Sequence, residues 1–268
     1  MSESCDKPEA GLEGARAWFL GVPLDLLTRA QTMERVERAM RTRTRVQHVV
    51  VNVAKIVNAR RNDLLRRDIV ESDIVNVDGM GVVWGARALG IAVPERVTGI
   101  DLMDDVLTLC ARHGFRPYVF GATQPVLKQA VARMQERWPA LEFAGWRDGY
   151  FSPRDEPGIV AEIKQSGADC LLVAISSPVK ENFIHRYRDE LGVPFLMGVG
   201  GSIDVMAGAI TRAPRWVQRA GLEWLYRVVQ EPRRMWKRYL LTNTRFAVLM
   251  IAEVLRGQGG QAKLNRRG

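Results

Sequence analysis

The chain contains 268 residues, of which 47% are hydrophobic and 26% charged. This composition is typical of a globular protein and excludes a disordered chain, a collagen and a disulfide-rich scaffold. The excess positive charge, +9 for the whole chain, lies in residues 212–268, which carry 13 Lys and Arg against 3 Asp and Glu. A nearly neutral body therefore precedes a basic segment. Such a segment suits an anionic partner: a membrane surface, a nucleic acid or a phosphorylated ligand.

The three cysteines and three histidines are scattered and form no cluster with zinc-ligand spacing, which argues against a zinc site and favours a reducing compartment. The apolar run at 246–252 is far shorter than the roughly 20 residues of a membrane-spanning helix.

Short apolar runs alternate with amphipathic stretches between residues 16 and 211. In chain order the pattern predicts a capping box at Thr28 and Gln31 with a helix to about Met40, strand 48–53, helix 55–67, strand 74–77, helix 82–89, helix 102–113, strand 117–120, helix 126–137, strand 141–144, helix 159–165, strand 170–175, helix 181–191 and strand 195–199. Because the strands are continuously apolar, we predict an α/β fold whose largely parallel sheet has helices on both faces. Ligands of such sheets bind outside the carboxyl ends of the strands.

The pattern changes at Thr211, where the strands stop and a basic helical segment begins. Residues 212–238 contain eight Lys and Arg, two Glu and three Trp, and Pro232 starts a second helix there. Apolar residues share one face of the first helix: Leu222, Leu225, Tyr226 and Val229. Such a helix suits a membrane interface, and the alternative is that this face packs on the body.

These patterns divide the chain into four parts. We expect a disordered leader (1–15), an α/β domain (16–211), a basic appendage that associates with membranes (212–256) and a disordered tail (257–268). The leader has neither the basic nor the apolar segment of a secretory signal.

Two polar residues follow predicted strands and are candidates for chemistry. Asp78 ends an apolar strand before Gly79 and a helix, so its carboxylate can act as a general base at the mouth of the sheet. An N-cap of the following helix would explain the same residue. Asn52 likewise ends a strand and either contacts a substrate hydroxyl or forms a turn.

Other residues are candidates for holding phosphate. Arg96 lies in a loop bounded by Pro and Gly and can clamp phosphate oxygens, or pair with Glu95 or Asp101. A turn at Gly200 and Gly201 would let a diphosphate approach backbone amides.

The residues around that turn offer further contacts. Asp204 can take ribose hydroxyls. Lys180 begins a helix and either neutralises a leaving diphosphate or is a solvated lysine. No Asp-x-Asp signature occurs, so no metal is expected, and three aspartates of one helix are expected to be solvated: Asp101, Asp104 and Asp105.

These residues together resemble the WecG/TagA/CpsF family of bacterial glycosyltransferases, which make teichoic-acid linkage units, enterobacterial common antigen and capsular or exopolysaccharide. The resemblance runs from about Gly21 to Arg238. It rests on an ordered series of motifs: Asn52, 77–83, 95–102, 120–121, 149–151, 198–201 with Asp204, 212–214, 223–227 and 231–234.

The resemblance implies a Rossmann-like sheet and inverting transfer, without metal or cofactor, from a UDP-sugar to a polyprenyl-diphosphate-linked sugar. Asp78 matches the base and Arg96 an active-site arginine. The implied donor-binding residues are Asn52, Gly121, Tyr150, Lys180, Gly200, Gly201 and Asp204, with Tyr150 and Asp204 around the uridine. Three basic residues of the appendage match positions that hold the lipid diphosphate at the membrane: Arg227, Arg234 and Lys237.

Two departures from the family pattern fall at the sugar site. Residues 178–181 read Pro-Val-Lys-Glu where the family usually shows Pro-Lys-Gln-Glu, and Val50 stands where mannosaminyl members carry Thr. They favour the exopolysaccharide members of xanthan type that add a β-1,4-linked glucose as the second sugar, so the predicted donor is a UDP-hexose, UDP-glucose.

Two alternatives remain. One is an N-acetylmannosaminyltransferase of teichoic-acid or common-antigen type. The other, from a different class, is a basic nucleic-acid-binding protein, against which the neutral body and the lack of a reader motif argue. We expect a peripheral protein on the inner face of the cytoplasmic membrane with no nucleic-acid partner, and the sequence is compatible with a homo-oligomer.

Overall fold

The computed structural model describes residues 14–255. Most of the predicted leader and all of the predicted tail lie outside these residues. The elements in chain order are β1 (Arg16–Phe19), β2 (Val22–Asp25), α1 (Arg29–Thr42), β3 (Val46–Val51), α2 (Val53–Ala59), α3 (Asp63–Val70), β4 (Ile74–Val77), α4 (Met80–Ala88), α5 (Gly99–His113), β5 (Pro117–Gly121), α6 (Gln124–Arg137), β6 (Gly145–Arg147), α7 (Glu156–Gln165), β7 (Cys170–Ala174), α8 (Val179–Tyr187), β8 (Phe195–Gly198), α9 (Ser202–Met206), α10 (Arg215–Arg219), α11 (Glu223–Gln230) and α12 (Pro232–Leu255).

Six strands form one sheet in the order β4-β3-β8-β7-β5-β6, and every neighbouring pair is parallel. Helices cover both faces. Alternate residues of β7 show this, because Cys170 and Leu172 join the hydrophobic cluster that includes α1, α5 and α6, whereas Leu171 and Val173 join the cluster of α7 and α8. The predicted α/β, Rossmann-like class is confirmed.

The helix boundaries follow the local capping signals. The capping box of Thr28 and Gln31 is present at the start of α1. The single helix predicted over 55–67 is wrong, because the chain forms two helices. Asn62 accepts a hydrogen bond from the Leu65 N–H (3.0 Å) and starts α3 as a new N-cap.

The strand predicted at 141–144 is also wrong, because β6 begins at Gly145. The Ala144 N–H donates to the Pro117 carbonyl (2.9 Å) and sets the register in which Gly145 lies opposite Tyr118. A Cβ on Gly145 would lie 2.7 Å from the Tyr118 ring, so only glycine fits beside it.

The sequence reading missed the antiparallel hairpin of β1 and β2, which lies at the β4 edge of the sheet. The Arg16 guanidinium makes two 2.7 Å hydrogen bonds to the buried Asp25 carboxylate, which also accepts the Val75 N–H at 2.7 Å. Arg16 donates as well to the carbonyls of Ser72 and Asp73. The hairpin is therefore bound to the start of β4 by charged hydrogen bonds.

The long C-terminal helix α12 packs back onto the body. Phe246 is buried in the cluster that contains the hairpin and α4, and its ring centroid lies 6.2 Å from that of Phe19. Within residues 14–255, no helix has the length and apolar character needed to cross a membrane.

We predict that Phe246→Ala lowers the free energy of unfolding by about 3 kcal/mol, since it removes a buried ring and leaves a cavity. Urea denaturation would measure this. Val248→Ala is the matched control, because Val248 on the same helix is 61% exposed and its truncation should change stability by no more than about 0.5 kcal/mol. Equal losses in the two variants would contradict the docking of α12.

Candidate active site

Asp78 lies one residue beyond the end of β4. Its N–H donates to the Val51 carbonyl (2.9 Å), so the pairing with β3 continues to this point and places the carboxyl at the carboxyl edge of the sheet. The N-cap of α4 is Gly79, which makes no side-chain capping bond. The capping explanation of Asp78 is therefore wrong, and its carboxyl is available for chemistry.

Asn52, which follows β3, lies beside Gly79 of the Asp78 loop. A Cβ on Gly79 would lie 3.4 Å from the Asn52 Cβ. The Asn52 Oδ1 accepts a hydrogen bond from the Lys55 N–H (3.0 Å) and caps α2. Asn52 therefore has a structural role at the helix start while it borders the Asp78 loop.

Arg96 is held beside the end of β4 because the Val97 N–H donates to the Val77 carbonyl at 2.9 Å. Its partner is neither Glu95 nor Asp101. The Arg96 Nη1 lies 2.5 Å from Oε2 of Glu223, the first residue of α11. The sequence reading missed Glu223 as a site residue, although it stands four residues before Arg227 on the same helix face.

The pKa of Asp78 is raised to about 6. Burial is the main cause, and the nearby Glu223 carboxylate adds to it, whereas the cations Arg96, Lys55 and Arg227 oppose it. A carboxyl with a pKa near neutrality is suited to accept a proton in a reaction.

A second ion pair ties the C-terminal segment to the site. Arg212 makes a bidentate contact to Asp101 (2.7 and 2.8 Å), and the Thr98 hydroxyl donates to the same carboxylate at 2.6 Å. The expectation that the α5 aspartates are merely solvated is wrong, since Asp104 pairs with Arg137 and Asp105 with Arg29.

The glycine turn after β8 lies beside residues of the C-terminal segment. Gly200 has a positive φ of 50°, which favours glycine. A Cβ on Gly201 would lie 3.4 Å from the Arg227 Nη1 and 3.5 Å from the Asp204 Oδ2. The structure thus brings together four of the predicted residues: Gly200, Gly201, Asp204 and, from α11, Arg227.

Lys180 is buried, so its interpretation as a solvated lysine is wrong. It lies at the start of α8 beside Glu181, whose carboxylate pairs with Lys180 and with Lys55 of α2. Lys55 and Glu181 were not identified as site residues from the sequence.

Two predicted residues lie toward the opposite edge of the sheet. Gly121 ends β5, where a Cβ would lie 2.5 Å from the Ala174 carbonyl oxygen, so close packing with β7 requires glycine. Tyr150 follows β6 and is 75% exposed. With strands spaced by about 4.8 Å, the β4 and β6 ends are separated by about 24 Å, so these residues are not grouped with Asp78.

The remaining basic predictions lie on α12. The Lys237 Nζ is 5.6 Å from the Trp236 ring centroid and is exposed. Arg234 lies on the same helix, but its side chain is outside the described part of the structure. Arg238 and Tyr239 of the same helix lie near the site. Burial lowers the pKa of Lys180 and the Arg238 charge adds to this effect, whereas burial raises the pKa of Tyr239 and the Asp78 charge adds to it.

Across residues 14–255, no three His, Cys, Asp or Glu side chains are placed to hold a metal ion together.

Comparison with known proteins gives a single family. The sequence model described as "Glycosyl transferase WecG/TagA/CpsF family" matches residues 17–260. Curated relatives from Bacillus subtilis (strain 168) and Bacillus spizizenii (strain ATCC 23059 / NRRL B-14472 / W23) are each 33% identical over 182 residues, which are 68% of this chain and 70% of the relative. Each is named N-acetylglucosaminyldiphosphoundecaprenol N-acetyl-beta-D-mannosaminyltransferase. These relatives do not support the expected likeness to xanthan-type glucosyltransferases.

We predict that Glu223→Gln lowers the pKa of Asp78 below about 6, because it removes a negative charge that opposes ionisation and frees Arg96 from its partner. Carbon-13 NMR of labelled aspartate carboxyls over a pH series would measure this. Glu142→Gln, at an exposed position, is the control that should leave the titration unchanged. If the pKa of Asp78 in Glu223→Gln equals that of the unmodified protein, Glu223 does not influence Asp78 and is not part of the site.

Proposed function

We propose that this chain, which belongs to the WecG/TagA/CpsF family of glycosyltransferases, transfers N-acetylmannosamine from a UDP-sugar to a polyprenyl-diphosphate-linked N-acetylglucosamine. The observation that carries the proposal is Asp78, a carboxyl with a raised pKa at the carboxyl edge of the sheet beside Arg96. The names of both curated relatives support this sugar over the glucose expected from Val50 and Lys180. Membership of a glycosyltransferase family supports an enzyme over the nucleic-acid-binding alternative.

In the proposed reaction the acceptor hydroxyl oxygen attacks the anomeric carbon of the donor sugar from the side opposite the diphosphate. Asp78 accepts the hydroxyl proton. The bond from the anomeric carbon to the phosphate oxygen breaks, its electron pair goes to the β-phosphate, and UDP leaves. Attack from the opposite side inverts the configuration. The cations Arg96 and Arg227 stabilise the negative charge that moves onto the acceptor and the diphosphate.

The order of the strands supports this arrangement of substrates. Along the carboxyl edge, Asp78 follows β4, the glycine turn with Asp204 follows β8, and Tyr150 follows β6 at the far end. An extended nucleotide-sugar can therefore lie along the edge with its sugar near Asp78, its diphosphate at the glycine turn and its uridine toward Tyr150.

The C-terminal segment offers a surface for the membrane that holds a lipid-linked acceptor. No residue of α11 is fully buried. Three residues of its predicted apolar face, Leu222, Leu225 and Val229, are exposed, whereas Tyr226 is half-buried and lines a cavity with Ile100 and Val205 of the body. Trp216 is 71% and Val229 72% exposed, and exposed basic residues such as Arg233 and Lys237 follow on α12. Apolar side chains next to cations are suited to an anionic lipid surface, and we propose peripheral binding at the cytoplasmic face.

The test is release of UDP, measured with EDTA present. UDP-N-acetylmannosamine with a polyprenyl-diphosphate-linked N-acetylglucosamine acceptor should give acceptor-dependent turnover. Turnover with UDP-glucose and a glucose-linked lipid alone would restore the xanthan-type prediction, and turnover that EDTA abolishes would contradict metal independence. No acceptor-dependent release with either pair would contradict the proposed function.

Asp78→Asn should lower kcat by at least ~10²-fold with little effect on UDP binding, since the amide cannot accept the proton. In the unmodified protein the rate should fall below pH about 6, where Asp78 becomes protonated. Lys128→Met, at an exposed position on α6, is the control with unchanged kcat. Near-normal turnover of Asp78→Asn would remove Asp78 from the mechanism.

For membrane binding, the double variant Trp216→Gln with Val229→Gln should reduce co-sedimentation with vesicles of anionic phospholipid about tenfold or more, because two apolar side chains no longer enter the lipid. High salt should weaken binding of the unmodified protein as well. Leu64→Gln, 54% exposed on α3 of the body, is the matched control. If that control and the double variant lost binding equally, the assignment of this surface would be wrong.

A further inference from the structure

Three charged side chains are buried together at the carboxyl edge of the sheet. The Lys55 Nζ lies 2.8 Å and the Lys180 Nζ 3.4 Å from the same oxygen, Oε1 of Glu181. The exposed fractions of these side chains are 6%, 11% and 5%. Two elements that are distant in sequence, α2 and α8, supply them.

The cluster carries more positive than negative charge. Glu181 balances one ammonium, so one positive charge remains without a counter-charge within the triad. Burial lowers the pKa of Lys180 to about 8, helped by Lys55 and Arg238 and opposed by Glu181, so Lys180 keeps its proton at neutral pH. A buried charge without a partner is unfavourable, and an anion bound beside the two ammoniums would compensate it.

The position of the cluster indicates which anion fits. A Cβ on Gly200 would lie 3.2 Å from the Lys180 Nζ, and one on Gly198 would lie 2.9 Å from the Lys180 Cε. The lysine side chain therefore occupies space that exists because these positions are glycines, and its ammonium lies at the turn where backbone can approach a ligand closely.

The cluster also borders the proposed base. Lys55 lies three residues after Asn52, and its charge lowers the pKa of Asp78 against the raising effect of burial. Lys55 thus lies toward the Asp78 end of the site, and Lys180 lies at the glycine turn.

We propose that Lys55 and Lys180, held together by Glu181, form a binding subsite for a phosphoryl group of a diphosphate substrate. This inference rests on the proposed function and deepens it. Glu181 offsets the repulsion of the two ammoniums, so that both are in place before the ligand arrives and require little reorganisation when charge moves onto the phosphate. The diphosphate is that of the nucleotide donor or that of the prenyl acceptor, which share this chemistry.

Calorimetric titration of the full chain with UDP, uridine and inorganic pyrophosphate tests the subsite. Lys55→Met and Lys180→Met keep the methylene stems and remove the charges. Each should abolish pyrophosphate binding and weaken tenfold or more the binding of the diphosphate that occupies the subsite, UDP or the prenyl diphosphate, while uridine, which has no phosphate, binds as before. Lys128→Met on the exposed face of α6 is the matched control with unchanged affinities.

A water-soluble short-chain prenyl diphosphate distinguishes the two sources. Loss of UDP binding alone assigns the subsite to the donor, loss of prenyl diphosphate binding alone assigns it to the acceptor, and either result supports it. The proposal is overturned if both lysine variants bind all the diphosphates as Lys128→Met does, or if uridine affinity falls as much as UDP affinity.

A measurement on the unmodified protein covers the case in which a lysine variant fails to fold. Affinity for the diphosphate that occupies the subsite, UDP or the short-chain prenyl diphosphate, should decline as the pH rises through about 8, where Lys180 loses its proton among Lys55, Glu181 and Arg238, while uridine affinity stays constant. The proposal would be overturned if both diphosphates had the same pH profile as uridine. If the lysine variants lose binding of UDP or of the prenyl diphosphate but the unmodified protein transfers no donor sugar, the subsite stands and the proposed function fails. If the unmodified protein transfers the donor sugar and the variants bind both diphosphates as before, the subsite alone is removed.

Discussion

The arrangement of the site depends on the parallel direction of all six strands of the main sheet. Parallel neighbours end on the same side, so each strand delivers its following loop to one edge. That edge carries Asp78 after β4, Asn52 after β3, the turn at Gly200 after β8 and Lys180 after β7. Residues that are far apart in sequence thereby form a row about 14 Å long, three strand spacings of about 4.8 Å.

The C-terminal segment lies on this row because it is attached at more than one place. Arg212 binds Asp101 and Glu223 binds Arg96 near the site, while Phe246 enters the core beside the hairpin. The ion pairs are partly exposed, so each contributes modestly to stability. Their larger effect is positional, since they bring Arg227, Arg238 and Tyr239 within electrostatic range of the charged residues at the sheet edge.

Burial acts on the site in opposite directions for acids and bases. It raises the pKa of Asp78 and lowers that of Lys180, because in each case the charged form loses solvation. Glu181 differs, because the ammoniums of Lys55 and Lys180 overcome the effect of burial and lower its pKa to about 2. The site therefore contains two different acids: Asp78, whose pKa of about 6 lies near neutral pH, and Glu181, which stays ionised.

The sequence by itself determined the alternation of strands and helices, the α1 capping box and the position of Asp78 at a strand end, because apolar periodicity and caps act over a few residues. It did not reveal the hairpin, nor Lys55, Glu181 and Glu223 as site residues. Glu223 and Arg96 are 127 positions apart, and no local pattern records such a pairing. Only the tertiary structure decided that the last strand, β8, lies between β3 and β7, because strand order is set by packing between distant segments. That order places the glycine turn after β8 between Lys180 on one side and Arg227 on the other.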